Sequence, residues 1–360
     1  MITGGGRVVG VATMTDVARR AGVSVSTVSY VLTGTRPISE ATRDRVLAAM
    51  AELDYQPNAM ARGLASRKSN IVGLLLPLTG RGLGATETAF VTGATEAARE
   101  AGYHLMLCPV GAADSDELQS LATQRLLDGF LVMEVQLTDR RVELLRKLES
   151  PFVLIGRTED GTGLACVDID FEQTVNDAVA HLVELGHETI AYINHSPASL
   201  ASGYGPAKRT EAAFQAALER HGITGVMVPT EDTAGGGRAA IQRAREECPA
   251  LTGVLVMNEN AALGILAELR EAGLDVPGDV SVVSMVTSEV VADLASPALT
   301  AMTSPGAALG AAATRVLLKR LAEDDGSTYQ ELLPCALEVR GTSGRAKKRK
   351  TARSARAERQ

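Results

Sequence analysis

Residues 15–32 of this 360-residue chain read TDVARRAGVSVSTVSYVL, a pattern that predicts two short helices joined by a tight turn. Thr15 is placed to cap the first helix, Gly22 ends it and supplies the turn, and Ser24 is placed to cap the second helix. Each helix carries one apolar face at helical spacing. These faces consist of Val17, Ala18 and Ala21 on the first helix and Val28, Val31 and Leu32 on the second.

A third amphipathic helix is predicted after a short loop. Its cap is Ser39, and its apolar residues at helical spacing are Val46, Leu47, Met50 and Leu53. The three helices form one small core and leave one face of the second helix exposed. That face carries Val25, Ser26, Ser29 and Tyr30. It is free either to enter a major groove of DNA or to remain solvated, as in a plain three-helix bundle.

Residues 13–32 (TMTDVARRAGVSVSTVSYVL) and 38–64 (ISEATRDRVLAAMAELDYQPNAMARGL) resemble the headpiece of the lactose repressor (LacI) family. The resemblance runs continuously from about Met14 to Ser69 and implies a sequence-specific reader of double-stranded operator DNA. It implies that Val25, Ser26, Ser29 and Tyr30 face bases. It also implies phosphate contacts from Thr15, Ser24, Thr27, Ser39, Thr42 and Asn58.

The same resemblance assigns residues 14–57 to the helix-turn-helix headpiece and residues 58–69 to a hinge segment. In the family this hinge folds as a helix on the operator, and the two hinges of a dimer lie in the minor groove. Leu64 would be the apolar wedge that kinks the duplex, and Ala59 and Arg62 belong to the same DNA-binding set. So short a helix does not persist alone in water, so we expect its order to depend on DNA and on the partner subunit.

Tyr30 departs from many family members, which carry an arginine at this position. Arginine binds guanine with two hydrogen bonds, whereas tyrosine offers one hydroxyl group and a flat ring. Val25 can contact a thymine methyl group, but its side chain forms no hydrogen bond. We therefore expect specificity to depend more on deformation of the operator centre by the hinge.

The net charge of −7 is unevenly distributed along the chain. Residues 14–68 hold eight basic and five acidic side chains, residues 344–360 hold eight basic and one acidic, and residues 69–343 carry −18. Phosphate repels an acidic surface, so DNA contact is expected only at the basic ends. The composition of the tail 344–360 is typical of a disordered segment, which either solubilises the protein or adds non-specific attraction to DNA.

Residues 70–343 alternate continuous apolar strands with alanine-rich helices. Such alternation predicts parallel sheets that are covered by helices on both faces. The stretch is long for a single sheet, so we expect two lobes. The predicted fold class is therefore a small all-α helix-turn-helix headpiece followed by a two-lobed α/β domain.

This second region also resembles the LacI family, more weakly, through VDID (167–170), VPGDVSVV (276–283) and PALTAM (297–302). The sensor domain of the family resembles a type I periplasmic binding protein, in which a small-molecule effector lies between two lobes. The implied crossovers of the chain between the lobes lie near Asp170, Pro297 and Ser327.

Four residues are predicted to bind the effector. Arg209 matches the family arginine that binds effector hydroxyl or carboxylate groups, although by itself its pattern is typical of a solvated helix residue. Asn258 matches a second polar position of the cleft. Many sugar-binding members place aspartates shortly after VSVV, where this chain has Met285 and Glu289 and no aspartate. Aspartate binds vicinal hydroxyl groups by charge-assisted hydrogen bonds, so its absence weakens the prediction of an ordinary sugar.

Other function classes receive less support. The segment GRGLGA, from Gly80 to Ala85, fits a dinucleotide-binding pattern, but Cys108 stands where an acidic residue is expected. A transport binding protein would explain two lobes but not the headpiece. The four cysteines are far apart and lack the spacing of metal ligands, so neither a metal nor a cofactor is predicted.

No apolar run is long enough to cross a membrane and no secretory signal is visible, which predicts a cytoplasmic, nucleoid-associated protein. The predicted function is a non-enzymatic transcriptional regulator with repression as the expected outcome. It acts as a homodimer on a pseudo-palindromic operator under the control of a small-molecule effector, which is either an inducer or a co-repressor. The alternative is a cytoplasmic small-molecule-binding protein or a nucleotide-dependent enzyme that uses the α/β domain.

Overall fold

The computed structural model describes residues 12–33, 36–55, 68–77, 82–124, 126–323 and 328–347. The chain divides into two compact units, one formed by residues 1–70 with 125–128 and the other by the remaining residues. Residues 58–67 of the predicted hinge and residues 348–360 of the basic tail lie outside the described residues. None of the helices in these ranges is long and apolar enough to cross a lipid bilayer.

The N-terminal unit contains the three predicted helices, α1 (Met14–Ala21), α2 (Val25–Thr33) and α3 (Glu40–Glu52). Gly22 ends α1 with a φ of +63°, in the left-handed region that glycine adopts without strain. The helices pack around one small apolar core. Its buried side chains are Val17, Ala18, Ala21, Val28, Val31, Val46 and Ala49.

Two details of this unit correct the prediction. The cap of α1 is Thr13 rather than Thr15, because the Thr13 hydroxyl accepts a hydrogen bond from the Asp16 N–H (3.3 Å) while the Asp16 carboxylate accepts one from the Thr13 N–H (3.0 Å). This reciprocal arrangement satisfies two backbone donors at once, and Thr15 lies exposed in the first turn. Leu47 is 48% exposed, because the turn of α3 directs its neighbour Val46 into the core.

The second unit alternates strands with helices. Its first lobe contains β1 (Ile71–Leu75), α4 (Ala85–Glu100), β2 (His104–Cys108), α5 (Ser115–Thr123), β3 (Gly129–Val132), α6 (Arg140–Lys147), β4 (Phe152–Ile155) and β5 (Cys166–Ile169). The second lobe contains α7 (Phe171–Glu184), β6 (Thr189–Asn194), α8 (Pro197–Ala201), α9 (Gly205–His221), β7 (Thr224–Pro229), α10 (Ala234–Glu247), β8 (Gly253–Val256), α11 (Glu259–Glu271), β9 (Ser281–Thr287), α12 (Glu289–Leu294) and β10 (Thr300–Thr303). The chain then forms α13 (Gly306–Glu323), β11 (Gln330–Leu333) and β12 (Ala336–Glu338).

Each lobe is built on a six-stranded sheet. One sheet has the order β11-β5-β4-β3-β1-β2 and the other the order β12-β10-β9-β8-β6-β7. Neighbouring strands are parallel except for the antiparallel pair β10 and β12. Central strands such as β3 and β8 are buried along their full length, as expected when helices cover both faces of a sheet. The prediction of a two-lobed α/β domain is confirmed.

The chain crosses between the two sheets at three points within the described residues. The first crossing is at Asp170, between β5 and β6, as predicted. The second crossing follows β10, and α13 then packs against α4 of the first lobe. The predicted crossing near Pro297 was wrong, because Pro297 precedes β10 and β10 still belongs to the second sheet. The third crossing joins β11 to β12 through residues 334–335. Ser327 itself lies outside the described residues.

Candidate functional site

The exposed face of α2 is a candidate nucleic-acid interface. Val25 is 43% exposed and Ser26 lies exposed beside it, whereas Val28 on the opposite face is completely buried. Ser29 and Tyr30 are half-buried on the helix. The structure therefore brings the four side chains that were predicted to face bases onto one side of a single helix, which has the dimensions of a major-groove reader.

Two pairs of hydroxyl groups lie at the N-termini of α2 and α3. The Ser24 hydroxyl accepts a hydrogen bond from the Thr27 N–H (3.1 Å), which confirms the predicted cap, and lies 2.9 Å from the Thr27 hydroxyl. At α3, Ser39 occupies the predicted N-cap position, but its hydroxyl donates to the Thr42 hydroxyl (2.9 Å) and makes no capping hydrogen bond to the backbone. Hydroxyl groups and helix N-termini are common donors to phosphate, so both pairs have the chemistry of phosphate-binding groups.

Arg36 lies over the ring of Tyr30, with its Cζ atom 5.0 Å from the ring centroid. A guanidinium group at this distance is attracted to the electron-rich face of the ring. Arg36 was predicted only as part of the basic charge, since it follows α2 in a loop and no helical spacing relates it to Tyr30. The contact supplies a cation beside Tyr30, whose own side chain has none.

The remaining residues of the predicted DNA-binding set, Asn58, Ala59, Arg62 and Leu64, lie outside the described residues. Their contacts with phosphate and the minor groove stay predictions. Thr15 is described and is accessible at the N-terminal end of α1.

A cavity of about 400 Å³ lies between the two lobes of the second unit. Its walls include the ends of strands from both sheets, such as Ile169 of β5 and Val286 of β9. Ligands of parallel α/β sheets bind at this edge, and the volume is in the range of small-molecule sites. The cavity is therefore the candidate effector site.

A buried ion pair fixes one wall of the cavity. Asp139 caps α6 and accepts hydrogen bonds from the Arg141 guanidinium at 3.1 and 2.8 Å. Arg141 also donates to the backbone carbonyls of Val110, Met133 and Glu134 at 3.0 to 3.2 Å. Because the buried charges are paired and the donors are satisfied, removing either partner would be costly. The pair thus holds the segment that brings Glu134 to the cavity.

His195 reaches the cavity from the end of β6. The buried Asn194 side chain accepts a hydrogen bond from the His195 N–H (2.7 Å) and donates one to the Ala207 carbonyl (3.1 Å), which fixes the chain after the strand. The His195 ring lies edge-on to the Tyr204 ring, with 5.1 Å between centroids. Two aromatic side chains with polar atoms therefore form part of the wall contributed by the second lobe.

Asn258 is the predicted effector residue that the structure places on the cavity wall. It occupies the N-cap position of α11 without a side-chain capping hydrogen bond and is only 6% exposed. Its Nδ2 has no hydrogen-bond partner among the described residues. A buried amide donor without a partner costs free energy, which an acceptor on a ligand would recover. The adjacent Glu259 carboxylate accepts hydrogen bonds from the N–H and hydroxyl groups of Ser288 (3.3 and 3.2 Å).

Arg209 lies behind the cavity wall and contacts the opposite lobe. Its guanidinium group is 3.7 Å from the carboxylate of Asp168, which does line the cavity, and it donates a hydrogen bond to the Arg157 carbonyl. Burial raises the pKa of Asp168, while the Arg209 and Arg157 guanidinium groups oppose that rise. Asp168 belongs to the VDID segment but was not among the predicted effector residues. An acidic residue near the end of a buried strand is the signal that could have found it.

The other two predicted effector residues do not line the cavity. Met285 is completely buried in the hydrophobic core, and Glu289 is exposed at the start of α12. The neighbour of Met285, Val286, lines the cavity instead and has a φ of +50°, which β-branched residues rarely adopt. Backbone strain of this kind is typical of functional positions. The predicted position is therefore corrected by one residue, because the pairing with β10 shifts here and leaves Val286 as an extra residue between the paired Met285 and Thr287.

The described part of the chain contains candidate metal ligands and buried thiols. There, no group of three or more histidine, cysteine, aspartate or glutamate side chains could hold a metal ion. Burial raises the pKa of the Cys108 thiol to about 11 and that of the Cys335 thiol to about 12. Thiols with such pKa values are poor nucleophiles at neutral pH.

Comparisons with known proteins match both units. A family model described as bacterial regulatory proteins, lacI family, matches residues 13–58, and a model of a periplasmic binding protein-like domain matches residues 179–343. Catabolite control protein A of Priestia megaterium is 30% identical over 333 residues, which are 91% of this chain and 98% of that protein.

Solved structures give the same result. The lac repressor dimer bound to operator and the anti-inducer ONPF has a TM-score of 0.78 and 27% identity, with coverage of 92% of this chain and 99% of that chain. The complex of the transcriptional regulator CelR with cellobiose has a TM-score of 0.69 and 26% identity, with coverage of 92% and 100%. The similarity thus extends through the helical unit and both lobes.

Proposed function

Because this chain belongs to the LacI family, whose members are DNA-binding transcriptional regulators rather than enzymes, we propose that α2 reads operator DNA and that the cavity between the lobes controls operator affinity. The observation that carries the proposal is the exposed, largely polar face of α2 opposite the buried core. The hydroxyl pairs at the N-termini of α2 and α3 flank it with groups suited to phosphate. We propose repression as the outcome.

We assign DNA contacts in three groups. Base contacts come from Val25, Ser26, Ser29 and Tyr30. Phosphate contacts come from Thr15, Ser24, Thr27, Ser39, Thr42 and Asn58. The minor-groove contacts come from the hinge residues Ala59, Arg62 and Leu64, with Leu64 inserted between base pairs.

A homodimer on a pseudo-palindromic operator is the assembly that we propose, in the cytoplasm and on the nucleoid. The edge strands β2 and β7 are only partly buried, and Leu107 on β2 is 40% exposed. A second copy of the chain would cover these apolar edges, which would otherwise tend to pair non-specifically with other strands. Two headpieces would then meet successive major grooves about 34 Å apart.

Effector binding in the cavity would change the arrangement of the lobes and so the spacing of the headpieces. Asn258 is the contact we propose from the predicted set, because its buried amide lacks a partner among the described residues. Arg209 acts behind Asp168 through the ion pair between them. We give Met285 and Glu289 no ligand contact, since one lies in the core and the other is exposed at the start of α12.

The test is fluorescence anisotropy of the full-length protein on duplexes that tile the DNA beside its own gene. A scrambled competitor is present at near-physiological salt, because DNA affinity depends steeply on salt. We expect one duplex to bind on the order of 10³-fold more tightly than the scramble. If neither this tiling nor a genome-wide selection yields a preferred site, the proposed function is wrong.

A matched pair of variants locates the reading face. Ser26→Asp places a carboxylate on the exposed face of α2, and Ala48→Asp places one at an exposed position of α3. Repulsion by phosphate should abolish specific binding in the first variant and leave the second close to the wild type. Circular dichroism is the control for the folding of both variants. Equal losses in the two variants would assign the effect to net charge rather than to the α2 face.

A further inference from the structure

We propose that Asp128 is a positioning residue for operator binding, because its carboxylate fixes the chain at Ser69 and Asn70, where the predicted hinge ends and β1 begins. The inference rests on the proposed operator binding and adds a residue that no sequence motif indicated. Asp128, Ser69 and Asn70 all belong to the N-terminal unit. These three residues are called the Asp128 clamp below.

Three hydrogen bonds converge on the Asp128 carboxylate. Its Oδ1 atom accepts from the Ser69 N–H (2.7 Å) and from the Ser69 hydroxyl group (2.9 Å), and its Oδ2 atom accepts from the Asn70 N–H (2.9 Å). Hydrogen bonds to an ionised acceptor are shorter and stronger than those between neutral groups. One side chain thus holds two successive backbone donors that lie 59 and 58 positions earlier in the chain.

The backbone of Asn70 adopts an uncommon conformation at the clamp. Its φ is +53°, in the left-handed region where most residues other than glycine are strained and asparagine is among the better tolerated. Successive N–H groups beside a left-handed residue form a concave surface that binds an anion. The Asp128 carboxylate is the anion at this position, so it stabilises the turn through which the chain enters β1.

The clamp directly precedes two paired strands. β1 begins at Ile71 and β3 begins at Gly129, and the two strands are parallel, with Val72 paired to Gly129. β3 is buried along its full length, and β1 is buried except at Ile71. Buried, hydrogen-bonded strands are among the most stable parts of a fold. The chain before β1 is therefore held by the residue that begins the neighbouring strand, and not by the peptide bond alone.

The same two strands lead to the cavity. Pro77 follows β1, Met133 and Glu134 follow β3, and all three residues line the cavity. The Leu75 carbonyl accepts a hydrogen bond from the Met133 N–H (2.9 Å), so the strands are still paired where they end. Both the segment that reaches the cavity wall and the clamp thus belong to the same pair of chain segments.

Loss of the clamp would leave the residues before β1 free to adopt several backbone conformations. Ordering them again on the operator costs conformational entropy, so specific binding would be weaker even if every DNA contact remained. Non-specific attraction to phosphate does not depend on a fixed position of α2 and would persist. The clamp should therefore contribute to the preference for an operator rather than to general DNA affinity.

Anisotropy titrations of full-length Asp128→Asn and wild type on the preferred operator duplex and on a scrambled duplex provide the test. The amide has the size of the carboxylate, but its NH2 group cannot accept a hydrogen bond from a backbone N–H. We expect operator binding to be about tenfold weaker and binding to the scramble to be no weaker. Removal of a negative charge would by itself strengthen DNA binding, because repulsion by phosphate decreases. Unchanged operator affinity, or an equal loss on both duplexes, overturns the inference.

Hydrogen–deuterium exchange tests the clamp without DNA. Asn70 is exposed, so protection of its N–H group reports the hydrogen bond to Asp128 rather than burial. Peptides that cover residues 69 and 70 should exchange at least about tenfold faster in Asp128→Asn than in the wild type, because local opening no longer breaks a charge-assisted bond. Exchange at the wild-type rate would contradict the clamp.

Two further variants control for charge and for folding. The exposed Asp114 carboxylate accepts a hydrogen bond from the Gly111 N–H (2.8 Å), so Asp114→Asn makes the same chemical change elsewhere. This variant should match the wild type in operator binding and in exchange at residues 69 and 70. Asp128→Glu keeps the charge and both acceptor oxygens and should lie between the wild type and Asp128→Asn in both measurements. Equal effects of Asp114→Asn and Asp128→Asn would contradict the positioning role.

The wild-type measurements separate this inference from the proposed function. A wild type that selects no operator contradicts the proposed function, and the exchange rates then decide whether the clamp exists. A wild type that selects an operator, together with an equally selective Asp128→Asn, contradicts only the positioning role of Asp128.

Discussion

Arg36 lies outside α2 and supplies a positive charge, which the side chains of α2 itself lack. Its guanidinium group lies over Tyr30, at the edge of the proposed reading face. We predict that Arg36→Ala lowers operator affinity about tenfold and reduces the dependence of log affinity on log salt by about one unit, because one cation near the DNA is lost.

Anisotropy titrations at several salt concentrations measure both effects. Arg270→Ala is the control, since it removes the same charge from an exposed position of α11 in the second unit. If both variants lower the affinity and the salt dependence equally, Arg36 contributes only to net charge.

His187 carries a residue-scale prediction on pH. Its ring is buried and hydrogen-bonded to the hydroxyl groups of Thr252 (2.9 Å) and Ser281 (3.0 Å) and to the Gly344 carbonyl (3.1 Å). Burial lowers the pKa of His187 below its ordinary value of 6.5. Below pH 6.5 the unfolded chain binds a proton that the folded chain excludes, so the contribution of His187 to stability is complete above that pH and is lost as the pH falls towards the lowered pKa.

Urea unfolding of the full-length protein at pH 8 to 5 measures this dependence, by far-ultraviolet circular dichroism because the chain has no tryptophan. We expect the unfolding midpoint of the wild type to fall below pH 6.5 and that of His187→Gln to fall less steeply. Identical slopes would mean that other groups set the pH dependence.

Site residues could be predicted from the sequence only where a local rule applies. Helical spacing was sufficient for the exposed face of α2, since Val28 and Ser26 must lie on different sides of the helix. A cap can shift by two residues, as from Thr15 to Thr13, because both positions offer a hydroxyl group. In β9 the cavity residue is Val286 rather than Met285, since the register with β10 shifts at this point, and local spacing does not reveal such an irregularity.

The packing of α4 against α13 illustrates the scale of elements. Gly93 lies where a Cβ atom would collide with the Ala307 backbone, and Gly310 lies where one would collide with the backbone of Phe90. The two helices therefore approach each other as closely as their backbones allow. We predict that Gly93→Ala lowers the free energy of unfolding by about 1–3 kcal/mol, because the helices must separate.

Gly235→Ala provides the matched control for this prediction. Gly235 lies exposed on α10, and a Cβ atom there would meet nothing within 4 Å. Alanine favours helix over glycine by about 0.5–1 kcal/mol, so this variant should be slightly more stable than the wild type in the same urea titration. Loss of stability in both variants would show that the helix contact is not the cause.

Elements with continuous apolar runs could be predicted from the sequence, and short half-exposed ones could not. β1, β3, β4 and β8 are almost wholly buried and alternate with helices, so their pattern is unambiguous. β11 and β12 are short and partly exposed, and their partners are far away in sequence. The positions of the second and third crossings depend on these pairings, which local patterns do not encode.

The arrangement of the two lobes as a whole depends on contacts across the cleft. The Arg209 guanidinium group on α9 lies against Asp168 and the Arg157 carbonyl of the first lobe. The Thr86 hydroxyl of the first lobe donates a hydrogen bond to the Val286 carbonyl of the second (3.0 Å). Asp168 and Val286 also line the cavity, so these contacts between the lobes lie at the proposed effector site.

We predict that Arg209→Met destabilises the protein by about 1–3 kcal/mol, because the buried Asp168 carboxylate then keeps only Arg157 as a cationic partner. Asp168→Asn combined with Arg209→Met should recover most of this loss, since the buried carboxylate is gone and the remaining Arg157 guanidinium is 31% exposed and can be solvated. A double-mutant cycle from urea unfolding measures the coupling. Additive losses in the double variant would contradict the predicted coupling between Arg209 and Asp168. If this contact transmits ligand binding, Arg209→Met should still bind the operator but respond less to any ligand of the cavity, which anisotropy with and without that ligand would detect.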